Sequence, residues 1–291
     1  MVHKCNILKN FILFILICSL FFLTSCSAIV SSAMSGMMNN LSLAILNNND
    51  LKMVKTGAPA YLLMIDSLVM QDSDNEDILI SAALLYTAYA DTFVQDKIRV
   101  RKMADKALGY ASKALCLSSK GACSLQSLEY EKFKNVISAI NIKDIAALYT
   151  LGCSWASWIK ANSNDFNAIA DLPRIEIIMH HVIELDETYK DGSAYLYLAT
   201  LATLLPPALG GQPEKGRDYF EKAIKISKGK NFMIKVLYAK QYARMLFDRD
   251  LHDKLLEEVL KQNPEIQGYT LVNTYAQVQA KKLLESADEY F

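Results

Sequence analysis

Apolar residues in this chain recur at intervals of three and four, and no strand-like alternation stands out. Ile78, Ala82, Leu85, Tyr89 and Phe93 form one such series, and Leu148, Leu151, Trp155 and Ile159 another. Residues so spaced share one side of an α-helix, so each segment is a one-faced helix that must bury that face against a neighbour. Helix breakers are sparse, with 11 glycines and 6 prolines in 291 residues, which favours helix over sheet. Ser73-x-x-Glu76 reads as a capping box, Pro59, Pro213 and Pro264 fall where first turns would begin, and Gly229 reads as a helix stop. An all-α fold is expected, with helices near 57–70, 75–94, 99–117, 125–140, 144–160, 173–186, 192–205, 213–227, 231–248, 251–262 and 265–286.

Short helices in pairs suggest a solenoid of hairpins with a faint internal period. The tetratricopeptide pattern places a large residue, a leucine, a small residue and an aromatic along its first helix. Small or apolar residues follow on the second, because the two helices touch closely. Leu148, Leu151, Gly152 and Trp155 match the first half, and Ile175, Met179 and Val182 with Leu185-Asp186 the second. Tyr195, Leu198, Ala199 and Ala202 begin another unit, completed by Gly216, Phe220 and Ala223 after a lengthened turn that contains Pro206-Pro207-Ala208-Leu209-Gly210-Gly211. Ala82, Ala83 and Tyr86 with Ala107, Ala111 and Ala114 suggest a third, and Tyr238, Ala239 and Tyr242 with Leu256, Val259 and Pro264 a fourth. The expected architecture is a tetratricopeptide-like solenoid of cryptic repeats over 51–291, closed by a C-terminal helix.

The N-terminus carries a different message. Lys4 and Lys9 precede an apolar run from Phe11 to Leu23 that closes on Leu23-Thr24-Ser25-Cys26. At about 13 residues the run is short of the ~20 that a spanning helix needs, so 1–25 reads as a removable signal. Those last four residues resemble the lipobox of bacterial lipoproteins, in which the cysteine is acylated and becomes the new N-terminus. Cys26 would then anchor residues 26–50 as a tether with a short helix, and more than one acyl chain anchors firmly. The expected location is the periplasm.

Removal of the signal leaves 29 basic residues against 31 acidic, a formal charge of −2, and nothing there suggests a nucleic-acid partner. Lys97, Arg99, Arg101, Lys102 and Lys106 cluster at helical spacing and read as a solvated face. Of the cysteines outside the signal and lipobox, Cys116 and Cys123 could pair in an oxidising compartment. A domain of about 265 residues needs no such staple, so buried free thiols at Cys116, Cys123 and Cys153 are the expectation.

The whole chain resembles the T component of TRAP-type transport systems, lipoproteins called TatT. The resemblance is carried by Gly57-Ala58-Pro59-Ala60-Tyr61 with Asp66-Ser67, by Ala82-Ala83-Leu84-Leu85-Tyr86 with Tyr89-Ala90 and Phe93-Val94, by Trp155 and Trp158, by Pro207-Ala208-Leu209-Gly210-Gly211 with Pro213-Glu214, and by Tyr242-Ala243-Arg244. It implies a periplasmic helper that works beside a solute-binding P component and a membrane permease. It also implies a pore or cleft for a small hydrophobic or organic-acid solute.

Catalysis needs a nucleophile with its base, a metal cluster or a positioned carboxylate pair, and no such motif is recognisable. His180-His181-x-x-Glu184 sets His180 and Glu184 four apart on one helix side, but a third ligand is wanting, since His252 is the only other histidine beyond the signal. These read as surface or helix-end histidines, and neither an enzyme nor a cofactor is expected. Tyr86, Tyr89, Trp155, Trp158, Tyr195 and Tyr242 are candidate wall residues of a ligand or partner site, because amphipathic rings supply an apolar wall and a polar tip. Leu209, Gly210 and Gly211 join them, because two prolines and two glycines fix an unusual path in that turn. A general envelope adaptor, with no solute, is the other function compatible with such repeats.

Overall fold

The computed structural model describes residues 40–291, so the signal over 1–25 and Cys26 lie outside the described residues. After α1 (40–46) come α2 (Leu51–Gln71), α3 (Glu76–Phe93), α4 (Lys97–Ser118), α5 (Tyr130–Ser138), α6 (Ile145–Ala161) and the single turn α7 (Phe166–Ile169). The second half holds α8 (Leu172–Leu185), α9 (Ser193–Ala202), α10 (Pro213–Ile226), α11 (Phe232–Leu237), α12 (Arg249–Lys261), α13 (Thr270–Glu285) and the short α14 (Ala287–Tyr290). No strand occurs among the described residues, as the sequence periodicity requires. No single helix among them is long and apolar enough to cross a membrane.

Carboxylate and amide side chains start many of these helices. Asp50, Asn75, Asp96, Asn231 and Asp248 each accept a first-turn N–H and so satisfy donors that a helix start leaves open. Asn75 therefore replaces the expected capping box, and the Ser73 hydroxyl turns to Asp74 instead. Pro59 is a second correction, since it lies inside α2 rather than at its start. A proline there cannot donate to the carbonyl of Lys55 one turn earlier. The Tyr89 hydroxyl donates to that carbonyl at 3.0 Å and closes the gap. Pro264 also precedes its helix by more than a first turn, because α13 begins at Thr270. Gly229 does end α10: its φ is +70°, and its N–H reaches the Ile224 carbonyl at 3.0 Å.

The chain packs as hairpins of sequence neighbours: α3 with α4, α6 with α8, α9 with α10, and α11 with α12, each on the next. Two glycines permit the closest approaches. A Cβ on Gly152 would stand 2.6 Å from Met179 and 2.9 Å from Ile178 of α8, and one on Gly216 would stand 2.4 Å from Thr203 beyond α9. The core forms two clusters that meet at α9, where Ala194 and Leu198 belong to one and Tyr195 and Ala199 to the other. The turn after α11 widens into a π-helix over Tyr238–Ala243, which stacks Tyr238 on Phe220 at 4.9 Å. α13 packs on α11 and α12 and also reaches back to α2. Its buried Asn273 accepts from the Phe232 N–H and donates to the Lys230 carbonyl.

The thiol expectation is corrected as well. Cys116 and Cys123 form a disulfide across seven residues at the end of α4, which closes a short surface loop rather than compensating for a small core. Cys153 is free and buried.

Trp155 is fully buried, edge-on to Phe133 at 6.0 Å with the Arg174 guanidinium over its ring. Its indole N–H donates to Asp171 at 3.2 Å. Trp155→Ala should therefore destabilise the protein by ~3–5 kcal/mol, read as a fall in thermal midpoint. An unchanged midpoint would contradict the packing described.

Candidate functional site

The lengthened turn after α9 borders a recess. α9 stops at Ala202, Thr203 turns its hydroxyl back to the Ala199 carbonyl, and Pro207–Leu209 make one 3-10 turn before α10. Gly210 has φ +93°, the left-handed region that favours glycine, and a Cβ on Gly211 would fall 1.7 Å from the Leu205 carbonyl oxygen. Both glycines are thus required, one by backbone angle and one by close approach. The turn, α8, α9 and α10 border an open cleft of about 270 Å³ whose lining includes Leu172, Leu201, Leu205, Gly211 and Tyr219 with Glu176 and Lys215. Leu204, Leu205 and Leu209 keep half or more of their surface in solvent, or nearly so. An apolar recess with a carboxylate and an ammonium in its wall can hold a small amphipathic group or a protruding side chain.

The candidates named from sequence do not converge on this cleft. Gly210 and Gly211 line it, and Leu209 stands exposed beside it. Tyr195 is one ring away, its centroid 6.0 Å from that of Tyr219, with its hydroxyl donating to Glu187 at 3.2 Å. Trp155 is core, Tyr89 serves the Lys55 carbonyl, and the half-buried Trp158 donates to Asp105 at 2.7 Å. Tyr242 is buried in the π-helix beside Arg217. Sequence reasoning missed Tyr219, Glu176 and Lys215. Glu176 lies on α8 and the other two on α10, and only the shared recess unites them.

Tyr86 belongs to a separate polar cluster. Its hydroxyl donates to Asp66 at 2.6 Å, Tyr110 donates to the other oxygen at 2.8 Å, and Lys106 forms an ion pair with the same carboxylate. The Lys106 ammonium also lies 4.9 Å from the Tyr86 ring centroid. Burial alone would raise the Asp66 pKa, but Lys106 and the two hydroxyls outweigh it and hold the carboxyl below its ordinary value. Burial and the Asp66 charge push the Tyr110 hydroxyl up to about 12. Lys106 is thereby withdrawn from the solvated face expected of its basic neighbours.

The histidines are also placed differently than expected. His181 turns inward, within 2.9 Å of the Ile140 carbonyl, and Glu184 pairs with it at 3.0 Å rather than with His180. His180 lies 3.8 Å from Glu176. Consecutive helical residues point about 100° apart, so only one of the two could follow Glu184. His252 is fully buried, its ring 2.7 Å from Asp253 and accepting from Arg244. Burial pushes the Cys153 thiol up to about 11, which keeps it neutral and unreactive beside Tyr149 and Tyr197. Among the described residues no three histidine, cysteine or carboxylate side chains gather where they could hold a metal.

Fold and cleft together define an all-helical protein of packed hairpins with a partly apolar recess at one helix turn. Among known families, the chain belongs to the one described as TRAP transporter T-component, whose model matches residues 47–291. Membership gives it an accessory role in TRAP transport, in association with a membrane-associated system of the cell envelope. Comparison with curated proteins finds no match.

Two outcomes follow. Asp66→Asn should cost about 1–2 kcal/mol at neutral pH, a charged hydrogen-bond network discounted because Lys106 is partly exposed. Since the Asp66 pKa is depressed in the fold, its stabilisation is present above the ordinary carboxylate range and lost as pH falls through the folded value. Denaturation midpoints of the two proteins should converge toward acid. Separately, Gly211→Ala should lower the melting temperature more than Gly210→Ala, whose left-handed backbone costs about 1–2 kcal/mol; calorimetry of both variants checks the order.

Proposed function

We propose that the chain is a non-catalytic, lipid-anchored helper of a TRAP-type importer. Cys26 carries the acyl chains that tether it to a bacterial membrane, with the domain in the periplasm. The folded domain binds the solute-binding P component and a small hydrophobic or organic-acid molecule. The observation that carries the reading is the cleft beside Gly210 and Gly211, where exposed leucines flank a recess containing Glu176 and Lys215. An apolar wall with one group of each charge suits an acid with a hydrocarbon body, and the protruding leucines suit a protein partner. Family membership supports the importer context. The hairpins support a tetratricopeptide-like solenoid, because Gly152 and Gly216 stand where that repeat needs small residues between paired helices.

The experiment is capture of envelope proteins on the purified domain, followed by calorimetric titration of the captured solute-binding protein. That protein should be recovered, and Leu205→Ala with Leu209→Ala should weaken it about tenfold, roughly 1.4 kcal/mol, with little change in melting temperature. Full affinity in the double variant would remove the cleft from the reading. Recovery of other envelope proteins without a solute-binding protein would favour a general adaptor. For the anchor, Cys26→Ala should abolish incorporation of radioactive fatty acid; label retained on the variant would overturn the lipobox.

A further inference from the structure

A second recess, of about 250 Å³, opens where α3 ends, α4 begins and α6 ends. Ala90, Val94 and Val100 give it apolar surface, while Lys97, Arg101 and Lys160 surround it with positive charge. Its one carboxylate, Asp91, is engaged by Lys160 at 2.9 Å. Asp96, next in the chain to Lys97, is committed to capping α4, accepting the Arg99 N–H at 2.7 Å. Arg101 donates from Nε to the Ala161 carbonyl at 3.1 Å, which holds its guanidinium at the C-terminal end of α6. Lys97, Arg99 and Lys102 make no ion pair among the described residues, and Ile98 between two of the cations is exposed. Lys160 is thus compensated by Asp91, while Lys97 and Arg101 keep no carboxylate partner among the described residues and the Arg101 guanidinium is held in place.

We propose that this recess receives a carboxylate-bearing side chain from an acidic segment of a partner protein. A concave site with apolar surface accommodates the methylene stem of a glutamate, while Arg101 and Lys97 meet its head, the guanidinium offering a forked donor set. Concavity disfavours a membrane surface, which is flat and would be met by a protruding basic patch. The cations flanking the recess steer an acidic partner toward it and set its register. The inference stands apart from the leucine-flanked cleft and does not depend on what that cleft binds.

The test uses full-length protein in detergent and a fluorescein-labelled decapeptide of alternating glutamate and alanine, read by anisotropy, with the glutamine–alanine peptide as control. The glutamate peptide should bind and the control should not. Binding should weaken about tenfold in Lys97→Glu and in Arg101→Gln, and again as salt rises from about 0.05 to 0.5 M. Lys97→Glu puts an acidic residue in the first turn of α4, a favourable place, so the fold is retained even if Arg101→Gln loosens the end of α6. Equal binding of the two peptides, or wild-type affinity in Lys97→Glu, overturns the proposal. So does Lys97-dependent binding of vesicles of phosphatidylglycerol with no binding of the peptide, which would make this a membrane-facing patch. Succinate that saturates the site without displacing peptide would likewise assign it to a free small acid.

Discussion

Everything else in the molecule depends on α9 being apolar on both sides. Ten residues with Ala194 and Leu198 facing one core cluster and Tyr195 and Ala199 facing the other join the two halves through buried surface. A helix with no solvated side has nowhere to go but between two layers. Because α9 is fixed on both faces, its C-terminal end is fixed as well, and the turn that follows is delivered to a defined place against α8 and α10. The leucine-flanked cleft is a consequence of that anchoring.

The helices were legible because burial imposes a period on the chain, and the period survives any variation at the surface. What local rules misjudged was decided by distant residues. Pro59 looks like a helix start until the Tyr89 hydroxyl supplies what the proline lacks for the Lys55 carbonyl. His181 looks like a partner for the surface until the Ile140 carbonyl, forty-one residues away, draws it inside. Lys106 looks solvated until Asp66, Tyr86 and Tyr110 collect around it, although Asp66 was already among the residues that carry the family likeness. Cleft residues such as Glu176 and Tyr219 have no local signature, because a recess is a property of how elements meet.

The two recesses differ in chemistry in a way that suits two tasks. One is partly apolar with a balanced pair of charges, and the other is basic with its only carboxylate already paired to Lys160. They lie on different helices, α8 to α10 for the first and α3, α4 and α6 for the second, so contacts made at one leave the other open. Under the function proposed above, such separation keeps the two binding events independent.

The meeting of the two ends of the array has a further meaning. Asn49 donates to Glu265 at 2.8 Å, the Gly268 N–H donates to Asn47 at 2.7 Å, and α13 touches α2. A row of stacked hairpins with free ends melts by peeling, one unit after another, since a terminal unit has a single neighbour to hold it. Here α2 gains α13 as a neighbour beside α3, and α13 gains α2 in addition to α11 and α12. Fraying at either end must first break the clasp between them, so fluctuations are pushed away from the ends and toward the irregular connections inside the array. The turn from Leu204 to Pro213 is the longest of these in the second half, and it is the one that walls the cleft.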